Sequence, residues 1–451
     1  MRLTSRSAKI NPLFPSILEL PFWLSLLLWA ILPSTKTPWF EIESIPVNSK
    51  DLLLIAVACF YLLLAAIKNS AITACRQPWH YHLPILTIGM LLYAALSVTW
   101  SGMDERNSVA MLYTLILTIS AFLLAYTRIR KMSPEFIRSF LWKVTVFLAA
   151  VGLLYSAESF FSLGLGTDNP YESDTFGIQR VRGPLFVSTT GFFILIPALA
   201  FSIEELVQSP TQRILKVTVV FSLILTILGL GSRAGLLIIA TFFMLMILLN
   251  KNKKQAAISL ILVIVVTTTA ALLFFSKAKT DRLQSLEDSS RSETYLTSFK
   301  ILEHRDDNVN IFGSGYGSYW PWYIPDIEGA RQTNQYFDLV WNPYGPLLYH
   351  PHSTFLLLIV ELGIPGLLYF LALWSVLVLL LLRHLQSAAF PILNCGVLAS
   401  AFSMFFDFFL FRSAQVNTLW WLFLFAALAL NFGLNSPSPN MNHPKKVESS
   451  K

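Results

Sequence analysis

Of the chain's 451 residues, 55% are hydrophobic and 13% charged, a balance that excludes a water-exposed surface over this length. The 33 Lys and Arg outnumber the 26 Asp and Glu; in a chain of recurring apolar runs, that surplus reads as cytoplasmic anchoring, not nucleic-acid binding. Cys59 and Cys395 lie in apolar runs and Cys75 in a short basic stretch, so disulfides have no expected part. In chain order, residues 17–33 follow Arg2, Arg6 and Lys9 without a small-residue cleavage site, and read as a retained first helix. Further spans are expected near 51–67, 83–99, 108–126, 139–161 and 184–203.

The stretch 217–249 decides the topology. As one helix it would be about 50 Å long, too long for an ordinary tilt. It contains Gly231-Ser232-Arg233-Ala234-Gly235, and basic clusters stand at both ends: Arg213 and Lys216 before, Lys251, Lys253 and Lys254 after. A hairpin puts both clusters on one side, as the positive-inside rule requires. With spans at 256–275, 353–382, 391–411 and 416–434, the expected fold is all-α. It is a polytopic membrane protein of about 12 transmembrane helices with one long, partly helical outer loop. Helices one to nine then occupy 1–275, the outer loop 276–352 and helices ten to twelve 353–434. The Ser-, Pro- and Lys-rich residues 435–451 form a disordered cytoplasmic tail.

Within the loop, Tyr295, Phe299 and Leu302 recur at helical spacing, so 290–304 is expected as an amphipathic helix. A glycine-rich turn at 312–317 and the aromatics Trp320, Trp322, Tyr323, Tyr336 and Trp341 follow, suited to a membrane interface or a sugar-binding groove. Arg180, Arg182, Arg233, Arg291 and Arg412 all fall on the side that should be poor in cations. Each could simply snorkel at a boundary. Together they suit an anionic headgroup such as a lipid diphosphate, because the planar guanidinium matches phosphate oxygens. His352, with His350, stands at the mouth of the tenth span, where an imidazole could accept a proton or merely sit at the interface. A metal site on this pair lacks a third ligand of clear spacing. Glu361, beside Gly363-Ile364-Pro365-Gly366, lies at membrane depth and should have a partner or a role.

Four segments in this order resemble the O-antigen ligase and polymerase family of bacterial membrane glycosyltransferases. They are Arg180-Val181-Arg182-Gly183-Pro184, Gly231-Ser232-Arg233-Ala234-Gly235, Ser289-Ser290-Arg291-Ser292 leading to Phe312-Gly313-Ser314-Gly315, and His352-Ser353-Thr354 leading to Glu361-Leu362-Gly363. The family usually has Asn where this chain has Ser353. The resemblance implies a metal-independent transferase without cofactor in the bacterial inner membrane, its active face periplasmic. The donor would be an undecaprenyl-diphosphate-linked glycan and the acceptor a hydroxyl of lipid A-core, or of a second lipid-linked glycan in a polymerase. By matching motifs, His352 is implied as general base and Arg233 and Arg291 as diphosphate ligands, with Arg182, Arg180 and Arg412 as further substrate contacts. A flippase for the same lipid is the competing class; it should carry charge at mid-bilayer and show related halves, which this chain does not.

Overall fold

A computed structural model describes residues 19–31, 40–42, 45–47, 49–67, 79–130, 132–161, 181, 183, 185, 190–249, 261, 289–320, 340–342, 345–347, 352–384, 390–407 and 410–433. The architecture is helical. In order, α1 covers Leu20–Ile31, α2 Ser49–Ile67, α3 Trp79–Ser97, α4 Glu105–Arg130, α5 Pro134–Phe161, α6 Gly191–Gln208, α7 Arg213–Gly229 and α8 Arg233–Leu249. The loop contributes α9 (Ser289–His304) and α10 (Asp307–Phe312); α11 (Thr354–His384), α12 (Pro391–Ala401) and α13 (Ala414–Gly433) complete the bundle. Among the described residues, six helices are long and apolar enough to cross a membrane: α3, α4, α5, α6, α11 and α13. The expected span at 256–275 lies outside the described residues, apart from Ile261.

Two features depart from the purely helical expectation. Phe40–Ile42 pairs antiparallel with Ile45–Val47, and Val340–Asn342 with Gly345–Leu347. Each strand has three residues, too short to leave a period-two signal in sequence. The break expected inside 217–249 is present: α7 ends at Gly229, Gly231 takes φ 58°, and α8 starts at Arg233. The halves pack on different partners, α7 on α5 and α6, α8 on α12 and α6.

Helix termini gather at two ends of the bundle. At one end, Arg138 of α5 pairs with Glu205 of α6, and Lys216 of α7 approaches the same carboxylate at 3.5 Å. Glu204 accepts the N–H groups of Ile392 (2.6 Å) and Leu393 (3.2 Å), so a buried carboxylate occupies the donor-rich first turn of α12. At the same end Arg128 pairs with Glu19 at 2.9 Å. The opposite end holds the close of α3, the α7–α8 turn, residues 313–320, the start of α11, and residues 402–407 and 410–412. All the sequence-derived candidates that the structure describes are at this second end.

Candidate functional site

The frame is a break in α11. Gly363 has φ 61° and ψ −145°, and Pro365 has no N–H to return to the Glu361 carbonyl. The carbonyls left open are taken by the glycine-rich turn: Ser314 N–H donates to Val360 (3.1 Å) and Gly315 N–H to Glu361 (2.9 Å). Arg305 also donates to the Val360 carbonyl, at 3.2 Å. Gly313, Gly315 and Gly317 all have positive φ, and a Cβ on Gly315 would stand 2.5 Å from Ser101 Cβ and 2.6 Å from the Ser97 carbonyl oxygen. The turn is therefore a backbone wedge between α3, α4 and α11.

The wedge closes over an ion pair. Arg412 donates from Nη2 to both Glu361 oxygens, at 2.9 and 2.7 Å, and to the Trp320 carbonyl at 2.8 Å. Its side chain is 4% exposed and that of Glu361 1%. The Tyr316 ring lies 4.0 Å from the guanidinium carbon, and its hydroxyl donates to the Phe411 carbonyl. Burial pushes the Tyr316 phenol well above its ordinary range, so it stays a neutral donor. Glu361 thus has a partner 51 residues away, and Arg412, expected among the substrate contacts, is engaged by protein groups.

At the mouth of α11, His352 is half-buried with φ 43°, a left-handed conformation that non-glycine residues adopt at a cost of about 1–3 kcal/mol. Several bonds hold it there. Tyr295 of α9 donates its hydroxyl to the His352 carbonyl (2.9 Å) and lies 3.0 Å from the Phe405 carbonyl. Thr354 donates through N–H (2.9 Å) and Oγ1 (2.8 Å) to the Asp407 carbonyl. Ser353 Oγ accepts the Leu356 N–H at 3.2 Å, acting as the N-cap of α11. Asn caps a helix as well as Ser does, so the Ser353 departure keeps this local role.

The arginines divide. Arg233 is the first residue of α8, which packs against the 3-10 turn Phe402–Phe405, the turn whose last carbonyl Tyr295 reaches. Arg291 is in the first turn of α9, one helical turn before Tyr295. Helix α8 and the Tyr295–His352 contact thus meet the same short turn. Arg180 and Arg182 lie outside the described residues. Val181, between them in sequence, donates its N–H to the Gly229 carbonyl at 2.9 Å, beside the α7–α8 turn. His350 is also outside the described residues.

The helix expected at 290–304 is present as Ser289–His304; its buried residues include Thr294, Thr297, Ser298 and Ile301, while Leu296, Phe299, Lys300 and Glu303 are exposed. Hydroxyls suit that buried face because Ser298 finds a partner in the Tyr319 phenol. Burial raises that phenol to about 12. Sequence reading also passed over the anchoring of His352 by Tyr295, Thr354 and the Asp407 carbonyl. Tyr295 stood out only as an apolar stripe member, and a backbone acceptor leaves no sequence signal.

Residues 218–371, which include α8, α9, the wedge and the His352 mouth, match the family model described as O-antigen ligase. No curated protein matches the chain.

Proposed function

From the O-antigen ligase domain that this chain carries over residues 218–371, we propose a glycan transfer at the His352 mouth. The family comprises ligase- and polymerase-like membrane glycosyltransferases that act on lipid-linked glycans and glycan acceptors. In our reading the chain crosses the bacterial inner membrane about twelve times with the mouth on the periplasmic side. The donor is an undecaprenyl-diphosphate-linked glycan and the acceptor a lipid A-core hydroxyl. His352 takes the proton of the acceptor hydroxyl as its oxygen attacks the anomeric carbon, and the bond to the diphosphate breaks. Arg233 and Arg291 carry the diphosphate charge as it leaves, with Arg180 and Arg182 assisting. Arg412 acts from behind, holding Glu361 and the wedge. No metal or nucleotide is required, because the diphosphate is itself the leaving group.

The observation that carries this reading is the strained, multiply anchored His352 joined through Tyr295 to the helix bearing Arg291. Replacing His352 by Ala should cut turnover by about 10² to 10⁴ with donor binding nearly intact, measured in a reconstituted transfer assay. Arg233→Lys should weaken donor binding as well, since a point charge cannot reproduce a bidentate grip. Near-normal transfer by well-folded His352→Ala would remove the base assignment. Deleting the gene separates the acceptor classes: a ligase loss leaves long glycan on its carrier, a polymerase loss leaves single repeat units.

A further inference from the structure

Lys50, in the first turn of α2, stands where a lysine is costly. The residue is 2% exposed, and its Nζ is buried without a hydrogen-bond partner among the described residues. An ammonium carries three donors and a full charge, and burying it unpaired is strongly unfavourable. Nor does the side chain lie along the outward surface. Leu54, Val57, Ala58 and Tyr61 follow at helical spacing as the buried face of α2, and Lys50 begins that stripe. Phe60 and Leu63 are the exposed members of the same helix.

The neighbouring carboxylate is engaged elsewhere. Asp51 accepts the Tyr113 hydroxyl of α4 at 3.3 Å, and adjacent residues do not share a helix face. Tyr113 also fixes the location. Met111, two positions before it on α4, lies 3.0 Å from Arg412 Nη1. Positions two apart point to different sides of a helix. Lys50 is therefore at the site end of the bundle, but across α4 from the Arg412–Glu361 pair.

Two features suit a phosphate there. The leading N–H groups of a helix have no intrahelical acceptor, and its dipole favours an anion at that end. A lysine at such an end adds the point charge that phosphate oxygens take. The 19 residues of α2 measure about 28 Å at the helical rise, close to a hydrocarbon thickness of about 30 Å. In the twelve-span reading α2 is the second span, so its first turn stands level with lipid phosphates.

We propose that Lys50 Nζ and the first turn of α2 form a site, beside α4, for a phosphate oxyanion. The oxyanion is presented by an anionic phospholipid headgroup or arrives as free phosphate. It supplies the acceptors and the negative charge that the buried ammonium lacks. The site is independent of the transfer at His352, and its test needs no activity.

Full-length protein in phosphate-free maltoside detergent would be melted by tryptophan fluorescence at constant ionic strength. Sodium phosphate is titrated in one arm and phosphatidylglycerol in the other. The parent should melt higher with at least one of them. A response to sodium phosphate identifies free phosphate as sufficient; a response to phosphatidylglycerol alone identifies the headgroup. Lys50→Met should need about tenfold more of the same anion, the loss of one charged hydrogen bond. Without anion it should melt as high as the parent or higher, because Met keeps the length and removes the unpaired charge. Lys50→Gln should show the same loss of response, and guards against one variant that fails to fold. Arg213→Met, at an exposed cation on the opposite end, should respond like the parent. No shift in the parent, or an unchanged shift in both Lys50 variants, would overturn the proposal. A Lys50→Met variant melting well below the parent without anion would overturn it too, since Asp51 would then already compensate the charge.

Discussion

The two ends of the bundle are fastened by different chemistry. At the end where α5, α6, α7 and α12 meet, side-chain charges bond one another, as in Arg138, Lys216 and Glu205, or Arg128, Lys143 and Glu19. At the site end, side chains mostly donate to backbone carbonyls: Tyr295 to His352 and Phe405, Thr354 to Asp407, Tyr316 to Phe411, Arg412 to Trp320. The difference follows from the backbone. Regular helices satisfy most of their own carbonyls, so side-chain charges carry much of the connection there, beside contacts at helix ends such as Lys216 to the Glu205 and Ser209 carbonyls. The site is built from broken or irregular segments, whose open carbonyls must be capped from elsewhere. A network aimed at carbonyls fixes main-chain position directly, which suits a place where a residue is held at an unfavourable φ.

The comparison is sharpest at the buried Arg412–Glu361 pair of the site end. Glu361→Ala leaves Arg412 buried with its carboxylate partner gone, a loss of about 3–5 kcal/mol. At the other end Arg138→Ala leaves Glu205 with Lys216 still near it, and Arg138 is itself 37% exposed. Its cost should be about 1 kcal/mol or less. Thermal unfolding of the purified variants in one detergent orders the two. The double change Glu361→Met with Arg412→Met should recover much of the loss, because a packed apolar pair removes the uncompensated charge. Equal melting of Glu361→Ala and Arg138→Ala would mean that the two ends are fastened alike.

A second contrast uses two glycines. Gly315 has φ 96°, and an added Cβ meets Ser101 and the Ser97 carbonyl; Gly89, inside α3, has nothing within 4 Å of that position. Gly315→Ala should cost about 2–4 kcal/mol from backbone strain and overpacking together. Gly89→Ala should be neutral or stabilise by up to about 1 kcal/mol, through helix propensity and a less flexible unfolded chain. If both changes behave alike in thermal unfolding, the glycine-rich turn is a loose loop and not a wedge.

These contrasts also show what could be read from sequence. Apolar runs placed the described helices well, and Gly231 with its flanking basic clusters placed the break between α7 and α8. Glu361 beside Gly363 and Pro365 signalled a break in α11 and a need for a partner. The partner itself was illegible. Arg412 reads with the substrate arginines because it too falls on the side expected to be poor in cations. Only tertiary packing sets it under Tyr316 and against Glu361. The buried face of α9 is illegible too, because Thr294, Thr297 and Ser298 leave no apolar stripe to announce it.

The smallest effect tests whether carbonyl-directed fastening matters for His352. Ser353 caps α11 through the Leu356 N–H, directly after a histidine at positive φ, and is almost fully buried. Ser353→Ala removes the cap and should cost about 1 kcal/mol, within the range of such changes. If the cap also holds the His352 backbone in place, the rate should fall about two- to tenfold beyond any loss of folded protein, with donor affinity unchanged. Ser353→Asn restores a capping oxygen, and should return both stability and rate toward those of the parent, provided the larger amide fits the buried pocket. A steric failure of Asn is distinguishable, because Ser353→Thr keeps a capping hydroxyl with one added methyl. Thr354 already secures the same turn through two bonds to Asp407, which bounds the effect from above. A Ser353→Ala variant that loses stability but keeps full turnover per folded molecule would assign the cap to helix stability alone. The orientation of His352 would then rest on Tyr295 and Thr354.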